Sequence, residues 1–289
     1  MDDNEFLLYD RIEKIKSVVN KYGIDNWYIS FSGGKDSSVL SALVDMAIPN
    51  NIPRVYSNTG IELNMVSDFV KSLQTNDSRY IIINPKIPIK TMLENEGYPF
   101  KSKEHSKILE LYQKYGIENH TVQRYLNIRE GYGKRYSCPK SLEYQFKENF
   151  KLKISDRCCV NLKENPLDEW AKENNKPCRM LGIMPSEGGR RATTKCLAFK
   201  QGGIVSFHPL SVVDKEWEDW FIETYNIPIC KIYYPPYNFE RTGCKGCPFN
   251  IYIKDELETL KKYFPIERKQ CEELWRPIYN EYRKHKYRL

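Results

Sequence analysis

The sequence FSGGKDSS, at residues 31–38, decides the fold of this chain. It follows an apolar run that ends at Ser30, and it precedes a helix-forming run from Val39 to Val44. Two adjacent glycines after a strand let the backbone turn tightly and point its N–H groups at an anion, and a helix that begins near Ser37 adds the positive end of its dipole. The stretch therefore predicts a phosphate-binding loop between a strand and a helix. A plain glycine turn with an exposed lysine and aspartate is the alternative interpretation.

Length and composition indicate a cytoplasmic protein with one large domain, or one domain and a smaller appendage. The chain has 289 residues, of which 40% are hydrophobic and 29% are charged, as in ordinary globular proteins. It has no run of about 18 apolar residues, as a membrane span requires, and its acidic amino terminus differs from a secretory signal. We therefore expect no membrane partner. The formal net charge of +7 favours acidic partners such as a nucleotide or a nucleic acid, although lysine-rich solvated helices give the same balance.

Strand-like and helix-like runs alternate after the loop. The strand that ends at Phe31 is followed by strand-like runs at 54–57, 80–83, 180–184 and 203–207. This alternation predicts an α/β fold with a doubly wound, mostly parallel, five-stranded sheet and helices on both faces. Ligands bind such sheets at the carboxyl ends of the strands, where both the glycine loop and the sequence Asn-Thr-Gly after the second strand fall. These two loops are therefore predicted to converge on one crevice.

The predicted organisation has a sheet domain flanked by helical parts. Residues 1–23 form an N-terminal amphipathic helix, residues 24–240 form the α/β nucleotide-binding domain, and residues 241–289 hold a Cys-x-x-Cys turn and C-terminal helices. A helical insertion at about 86–155 loses the strand pattern. Its basic region 101–140 interleaves tyrosines, which suits phosphate contact and base stacking and makes a nucleic acid a candidate acceptor. Solvated helices with tyrosines packed underneath fit the same pattern.

Two closely spaced pairs of cysteines provide four candidate ligands for a metal site. Cys158 and Cys159 are adjacent at the predicted start of a helix with Asp156 as its N-cap, and Cys244 and Cys247 form a Cys-x-x-Cys turn. The helix N-terminus is expected to lower the pKa of the first two thiols, and the turn points the other two at one centre. Adjacent cysteines are awkward ligands for one tetrahedral zinc ion, so an iron-sulfur cluster is favoured over zinc. Unligated or redox-active thiols are the third interpretation.

Catalysis is expected to be electrostatic. None of the four histidines is paired with a serine or cysteine at a spacing typical of nucleophilic catalysis. Arg190 and Arg191 follow two glycines after a strand, where guanidinium groups bind a phosphate or sulfate in bidentate geometry; exposed turn arginines are the alternative. Asp36, Glu62 and Glu187 are candidate partners for Mg²⁺ or a hydroxyl group, because one or two carboxylates commonly hold the divalent cation of triphosphate chemistry.

These motifs resemble those of a known family. The loop is similar to the pyrophosphate-binding loop (PP-loop) of the adenine nucleotide alpha-hydrolase superfamily. The cysteine pairs, the segment from Gly182 to Arg191 and the sequence His208-Pro209-Leu210 follow, in order, the layout of the phosphoadenosine and adenosine phosphosulfate (PAPS/APS) reductase family. The resemblance implies nucleotide contacts at Ser32, Gly33, Gly34, Lys35, Asp36, Ser37, Asn58, Thr59 and Gly60. It implies a [4Fe-4S] cluster at Cys158, Cys159, Cys244 and Cys247, and a phosphate or sulfate partner at Arg190 or Arg191.

Two departures from the reductases point toward ATP. Reductases of adenylyl sulfate end in a mobile tail with a nucleophilic cysteine, whereas this chain ends in His285–Leu289, and Cys271 in a helical run is a poor substitute. The loop also keeps Gly-Gly-Lys-Asp-Ser intact, as in relatives that split ATP into AMP and pyrophosphate. We therefore predict an enzyme that uses ATP and Mg²⁺ to adenylate an acceptor for sulfur transfer, with Lys35, Asp36 and the arginine pair as catalytic residues and a sulfur donor or reductant protein as partner. A phosphosulfate reductase that releases sulfite, or a non-catalytic nucleotide- or nucleic-acid-binding module, is the alternative.

Overall fold

The computed structural model describes residues 2–128, 137–187, 193–199 and 205–289. Contacts divide the chain into two compact units, which we call the sheet unit and the helical unit. The sheet unit comprises Met1–Asn58, Glu62–Pro85 and Asn165–Thr242, and the helical unit comprises Thr59–Ile61, Lys86–Glu164 and Gly243–Leu289. Each unit is therefore assembled from distant parts of the sequence.

The sheet unit alternates strands and helices along the chain. Its elements are α1 Asp3–Tyr22, β1 Trp27–Phe31, α2 Lys35–Ala47, β2 Arg54–Ser57, α3 Asn64–Asn76, β3 Tyr80–Ile83, α8 Asn165–Glu173, β4 Cys178–Met180, β5 Leu197–Phe199, β6 Val205–Phe207 and α9 Lys215–Tyr225. The six described strands form one sheet in the order β3-β2-β1-β4-β6-β5. All neighbouring strands run parallel except β5 and β6. The predicted α/β, mostly parallel sheet is confirmed, and the short antiparallel strand β5 raises the predicted five strands to six.

Alternate side chains of β1 carry the packing on the two faces of the sheet. Trp27 and Ile29 lie in a large apolar cluster that includes residues of α1, α2 and α9. Tyr28 points the other way and packs with Leu167 and Ala171 of α8. These three β1 residues are almost completely buried, and each large apolar side chain buried in this way contributes about 1.5–3 kcal/mol. The central strand is therefore held from both sides, as a parallel sheet requires.

The helical unit contains no named strand among its described residues. Its helices are α4 Ile89–Glu96, α5 Lys103–Tyr115, α6 His120–Tyr125, α7 Arg157–Cys159, α10 Ile253–Tyr263, α11 Pro265–Leu274 and α12 Arg276–Lys284. A 3₁₀ helix covers Lys140–Phe146, and a π-helical turn covers Val160–Glu164. The core is apolar and aromatic, with Phe100 packed edge-on against Tyr282 of α12. No helix in the described ranges is both long and apolar enough to cross a membrane.

Candidate functional site

The glycine loop connects β1 to α2 and folds back on the start of that helix. Helix α2 begins at Lys35 with Gly34 as its N-cap residue, two residues before the predicted start. The Ser37 and Ser38 hydroxyls donate hydrogen bonds of 2.9 and 3.1 Å to the Gly34 carbonyl oxygen. The Ser32 backbone N–H donates to Ser37 Oγ at 3.3 Å. Within the described residues no N-cap side chain closes the helix, although the Lys35 N–H donates to the Tyr233 hydroxyl. The positive end of the helix dipole faces the loop, as an anion site requires.

Close packing explains why the loop needs glycine. Gly33 has φ +72°, and a Cβ there would lie 2.8 Å from methyl groups of both Val66 and Val70 on α3. Gly182, which follows β4, lets the backbone approach the same region, because a Cβ there would lie 2.7 Å from the Asp36 carbonyl oxygen. Both distances are shorter than real Cβ contacts. Two glycines that are far apart in the sequence therefore allow the close packing around the loop and the first turn of α2.

Lys35 is anchored by residues nearly 200 positions away. Its Nζ lies 2.8 Å from Asp219 Oδ1 on α9. Its backbone N–H donates to the Tyr233 hydroxyl at 3.2 Å, and that hydroxyl lies 2.6 Å from Thr242 Oγ1. Burial lowers the pKa of Lys35, but the hydrogen bond and charge of Asp219 outweigh burial, and the pKa is raised overall. The loop therefore presents a fully charged ammonium group.

Asp36 and Glu218 form a carboxyl pair beside this lysine. Glu218 is only 3% exposed. Burial raises its pKa to about 8, and the charge of Asp36 and the hydrogen bond to it add to this effect, against the opposing charge of Lys35. Glu218 therefore keeps its proton at neutral pH and donates a hydrogen bond to Asp36. Its Oε1 has no hydrogen-bond partner within the described residues, and such oxygen donors suit Mg²⁺.

Sequence patterns did not identify Glu218 and Asp219. Both lie in the aromatic helix α9, about 180 residues after the loop. Two adjacent acids on a helix are ordinary surface residues by composition, and no spacing rule connects them to the glycine motif. The signal in the sequence is that Glu218 interrupts the apolar helix face of Trp217, Phe221 and Ile222.

The second predicted nucleotide loop is divided between the units. The register pairs Phe31 of β1 with Tyr56 of β2, so the segments after both strands leave the same edge of the sheet. Asn58 lies in the sheet unit, and its N–H donates to the Ile83 carbonyl oxygen at 2.8 Å. Thr59 and Gly60 lie in the helical unit. Their predicted nucleotide contacts stay predictions.

The remaining predicted phosphate-binding groups are less well defined. Arg190 and Arg191 lie outside the described residues. Glu62 is buried in the sheet unit, and Glu187 ends a short 3₁₀ helix. Their predicted roles stay predictions.

All four paired cysteines lie in the helical unit. Cys158 donates a hydrogen bond to Cys159, and the charges of Cys244 and Cys247 also act on Cys158. This interaction lowers the pKa of Cys159 to about 6 against the opposing effect of burial, and nearby lysines lower it further. The predicted low pKa is therefore confirmed for Cys159. It is wrong for Cys158, whose pKa is raised because it is the donor of that hydrogen bond and is buried.

Local backbone geometry places the adjacent cysteines. Helix α7 ends at Cys159 and continues directly into the π-helical turn Val160–Glu164. Asp156 occupies the predicted N-cap position, but no hydrogen bond from its side chain caps the helix in the described structure. Wide π-helical segments occur mostly as single turns inside α-helices, frequently at functional sites. The turn thus marks the cysteine pair as a specialised position in this helix.

Helices α10 to α12 hold the backbone of the Cys-x-x-Cys turn. The Gly246 N–H donates to Glu256 Oε1 at 2.8 Å, and the Tyr279 hydroxyl donates to the Gly246 carbonyl oxygen at 2.5 Å. Trp275 Nε1 donates to the Lys245 carbonyl oxygen at 3.1 Å. A neighbouring pair of buried groups, Lys245 Nζ and Glu267 Oε2, lies 3.2 Å apart. The turn is therefore pre-organised by side chains that follow it in the sequence.

The donor chemistry of the four cysteines fits a thiolate-ligated metal group. Thiolates are soft ligands that favour iron-sulfur clusters and zinc, and Cys159 is poised as a thiolate near neutral pH. In the part of the chain that the structure describes, no group of three or more His, Cys, Asp or Glu side chains is placed so that it could hold a metal ion. The iron-sulfur assignment of this region stays a prediction.

Comparison with known proteins identifies the domain around the loop. The family model of the phosphoadenosine phosphosulfate reductase domain matches residues 26–120. Residues 26–120, about a third of the chain, are similar to that domain. This domain includes β1, the glycine loop, α2 and the segments up to α5. The predicted resemblance to the PAPS reductase family is confirmed. The match does not identify the reaction that this chain catalyses. A search of curated proteins found no match.

Solved structures similar to this chain include three enzymes. A phosphoadenylyl-sulfate reductase from Candida auris has 14% sequence identity and a TM-score of 0.49, with 81% of this chain and 87% of that chain covered. An FMN adenylyltransferase from Candida glabrata has 13% identity and a TM-score of 0.48, with coverages of 84% and 63%. A U34-tRNA thiolase from Methanococcus maripaludis, solved with its [4Fe-4S] cluster, has 16% identity and a TM-score of 0.43, with coverages of 92% and 77%.

Proposed function

We propose that this chain binds ATP and cleaves it to AMP and pyrophosphate, so that an acceptor is adenylated and then receives sulfur. The observation that carries the proposal is the intact loop, in which Gly33 is packed against α3 and Lys35 is charged at the start of α2. A cradle of this kind suits the pyrophosphate part of a nucleotide. The match of the surrounding residues 26–120 to a nucleotide-processing family supports the same class of ligand.

The proposed reaction is a displacement at the α-phosphorus atom. An acceptor oxygen attacks that atom, the bond from it to the bridging oxygen breaks, and pyrophosphate leaves with the electron pair. Lys35 and the backbone N–H groups of the loop neutralise the charge that develops on the leaving pyrophosphate. Mg²⁺, when bound, would be held by Asp36 and neighbouring carboxylates and would add positive charge at the phosphates. We assign the α-phosphate contact to Arg190 or Arg191.

The second half of the proposed reaction transfers sulfur. A sulfur nucleophile at the oxidation level of hydrosulfide, supplied by a donor protein, attacks the adenylated carbon, and AMP leaves. Cys158, Cys159, Cys244 and Cys247 would hold a [4Fe-4S] cluster, which when bound supplies a site for sulfur binding or electron transfer. A cytoplasmic location is consistent with nine cysteines without a disulfide in the described residues.

A nucleic acid is the proposed acceptor. In the basic region 101–140, Lys107, Arg124 and Lys140 are exposed, and Tyr115 is 64% exposed on α5. Exposed cations and an exposed ring within one region of the sequence suit phosphate contact and base stacking. Tyr125 from the same region is buried in the core instead, so only part of the aromatic pattern is available to an acceptor.

The state of Cys271 favours ATP chemistry over sulfonucleotide reduction by this chain's own thiol. Its side chain is fully buried, and burial raises its pKa to about 12. Such a thiol is a poor nucleophile at neutral pH. Reduction of a phosphosulfate with an external thiol is the second candidate, and the similarity of residues 26–120 to the phosphosulfate reductase domain favours it.

Product analysis with defined substrates tests the proposal. Anaerobically purified protein is incubated with radiolabelled ATP, Mg²⁺ and either transfer RNA or duplex DNA, and separately with adenylyl sulfate and a thiol. We expect acceptor-dependent AMP and pyrophosphate, with Lys35→Met about 100-fold slower and Lys71→Met, on the exposed side of α3, unchanged. Sulfite release without any AMP from ATP would favour the reductase, and ATP binding without turnover across acceptors would favour a binding module.

Metal analysis tests the cysteine assignment separately. We expect about four irons and four sulfides per chain, lost in Cys247→Ser and retained in Cys271→Ser. Stoichiometric zinc in place of iron would contradict the cluster and remove its proposed role in sulfur transfer.

A further inference from the structure

Two consecutive acids of α9 contact two consecutive residues of the glycine loop. Asp219 Oδ1 lies 2.8 Å from Lys35 Nζ, the usual length of a charge-assisted hydrogen bond. The preceding residue, Glu218, is hydrogen-bonded through its carboxyl group to Asp36. The Lys35 side chain is 21% exposed and that of Asp219 is 47% exposed, so solvent and small ligands reach this ion pair. Asp219 thus takes the place at Lys35 that a phosphate oxygen would take.

Glu218 supplies a second, independent observation. It is more than nine-tenths buried, and its Oε1 has no hydrogen-bond partner within the described residues. Leaving a buried carboxyl oxygen without a partner is unfavourable. Among the described residues, the charged groups with the largest effect on Glu218 are Asp36, Lys35 and Asp219. Of these, only Lys35 is positive, and it is already engaged by Asp219.

We propose that Asp219 acts as an internal counter-ion that competes with phosphate for Lys35 and makes phosphate binding at the loop depend on a divalent cation. When phosphate takes Lys35, the carboxyl groups of Glu218 and Asp219 lose the ammonium group that acts on them within the described part of the chain. A divalent cation with oxygen ligands, such as Mg²⁺, replaces that charge and gives Glu218 Oε1 a partner. Phosphate and cation therefore bind with positive coupling, and each raises the affinity for the other.

This inference rests on the proposed function, because it assumes that the loop binds the pyrophosphate part of ATP. It goes beyond that function by assigning Asp219 and Glu218 as positioning residues that set the cation dependence. Neither residue is required to contact the reacting atoms.

Calorimetric titration of the full chain with inorganic pyrophosphate, with and without Mg²⁺, tests the inference. Without Mg²⁺, we expect Asp219→Asn to bind pyrophosphate about three- to tenfold more tightly than the unaltered chain, because the competing ion pair of the partly exposed lysine is gone. The enhancement of affinity by Mg²⁺ is expected to fall about tenfold in Asp219→Asn and in Glu218→Gln. Asp219→Glu, which keeps the carboxylate, is expected to restore most of the enhancement.

Glu223→Gln is the matched control, because it removes one negative charge from an exposed position of the same helix. It is expected to leave both affinities unchanged, and thermal unfolding of each variant establishes that it is folded. Equal pyrophosphate affinities for the unaltered chain, Asp219→Asn and Glu223→Gln, or an unchanged Mg²⁺ enhancement, would overturn the inference and leave the proposed function intact. If the unaltered chain binds neither pyrophosphate nor ATP under either condition, both are overturned.

Discussion

The Tyr279 hydroxyl donates a hydrogen bond of 2.5 Å to the Gly246 carbonyl oxygen, between the two cysteines of the Cys-x-x-Cys turn. Gly246 has φ +62°, and a Cβ there would fall onto this hydroxyl and within 2.9 Å of Cys271 Sγ. The glycine is therefore required twice, by its backbone conformation and by the side chains behind it. Side chains of α11 and α12 therefore pack against the turn that carries Cys244 and Cys247 and fix its backbone.

Substitution of Gly246 tests this arrangement. We expect Gly246→Ala to lower the free energy of unfolding by about 2–4 kcal/mol, because it combines a left-handed backbone with overpacking, and to lower bound metal in parallel. Gly243→Ala is the matched control, since a Cβ there meets no atom within 4 Å. Denaturant unfolding and metal analysis measure the two effects. Equal stability and equal metal content in the two variants would contradict the inference that α11 and α12 fix this turn.

The buried pair of Lys245 and Glu267 makes a second prediction for the same turn. Their side chains are 4% and 7% exposed, and the charged atoms lie 3.2 Å apart. Lys245→Met removes the positive charge that faces the buried Glu267 carboxyl group, so it is expected to lower the free energy of unfolding by about 1–3 kcal/mol. The double variant Lys245→Met with Glu267→Leu is expected to recover most of this loss. Additive losses in a double-mutant cycle would show that the two groups are not coupled.

Local patterns are sufficient to predict the first three strands and the loop, whereas the strand predicted at 180–184 lies at Cys178–Met180. The strands at Trp27–Phe31 and Tyr80–Ile83 are short, largely apolar runs bounded by turn residues, and the pair of glycines marks the helix start within two residues. Such signals depend on neighbours in sequence, which a single chain displays. The edge strand Leu197–Phe199 was missed because three residues carry too little periodicity to be recognised.

Contacts across the sequence could not be predicted in this way. Asp219 forms an ion pair with Lys35, which lies 184 positions earlier in the sequence. The residues around either position do not indicate that the two side chains meet. The pKa values of the cysteine pair could not be predicted from the local sequence either. A helix start predicts a low pKa for both thiols, but in the structure Cys158 donates a hydrogen bond to Cys159, so the pKa of Cys158 is raised and that of Cys159 is lowered. The direction of a pKa shift depends on burial and partners, which only tertiary structure supplies.

Gly182 is expected to be as important for the loop as the glycines of the loop itself. An added Cβ would lie 2.7 Å from the Asp36 carbonyl oxygen and 3.2 Å from the Ser37 backbone nitrogen, which must then move. We expect Gly182→Ala to weaken pyrophosphate binding about tenfold or more, since a displacement of about 1 Å at a binding site costs this much or more. Calorimetric titration measures the affinity, with Gly243→Ala as a control for a harmless added methyl group. An unchanged affinity would mean that the loop tolerates the shift.

His105 makes the helical unit sensitive to acid. Its ring nitrogens lie 2.9 Å from the Tyr125 hydroxyl and 2.7 Å from Gln145 Oε1. Burial lowers its pKa to about 4 from the ordinary value of 6.5. Because the unfolded chain takes up this proton first, stability is complete above pH 6.5 and falls as the pH drops toward 4, by about 3 kcal/mol in all. Denaturant unfolding from pH 7 to pH 4 measures the slope, which His105→Gln should flatten and the exposed His120→Gln should not. Equal slopes in all three proteins would rule out His105 as the source.

Glu218 makes the sheet unit sensitive to pH in the opposite direction. Its pKa of about 8 in the folded chain exceeds the ordinary value of 4.5, chiefly because it is buried. The folded chain therefore holds this proton more tightly than the unfolded chain, so the stabilisation is complete below pH 4.5 and is lost as the pH rises through 8. We expect Glu218→Gln, which keeps the shape without the titrating proton, to raise the free energy of unfolding at pH 8.5 by about 2 kcal/mol relative to its effect at pH 5. Denaturant unfolding at the two pH values measures this difference, with Glu223→Gln as the exposed control on the same helix. If the two variants show the same pH dependence as the unaltered chain, the carboxyl group of Glu218 does not hold its proton at neutral pH.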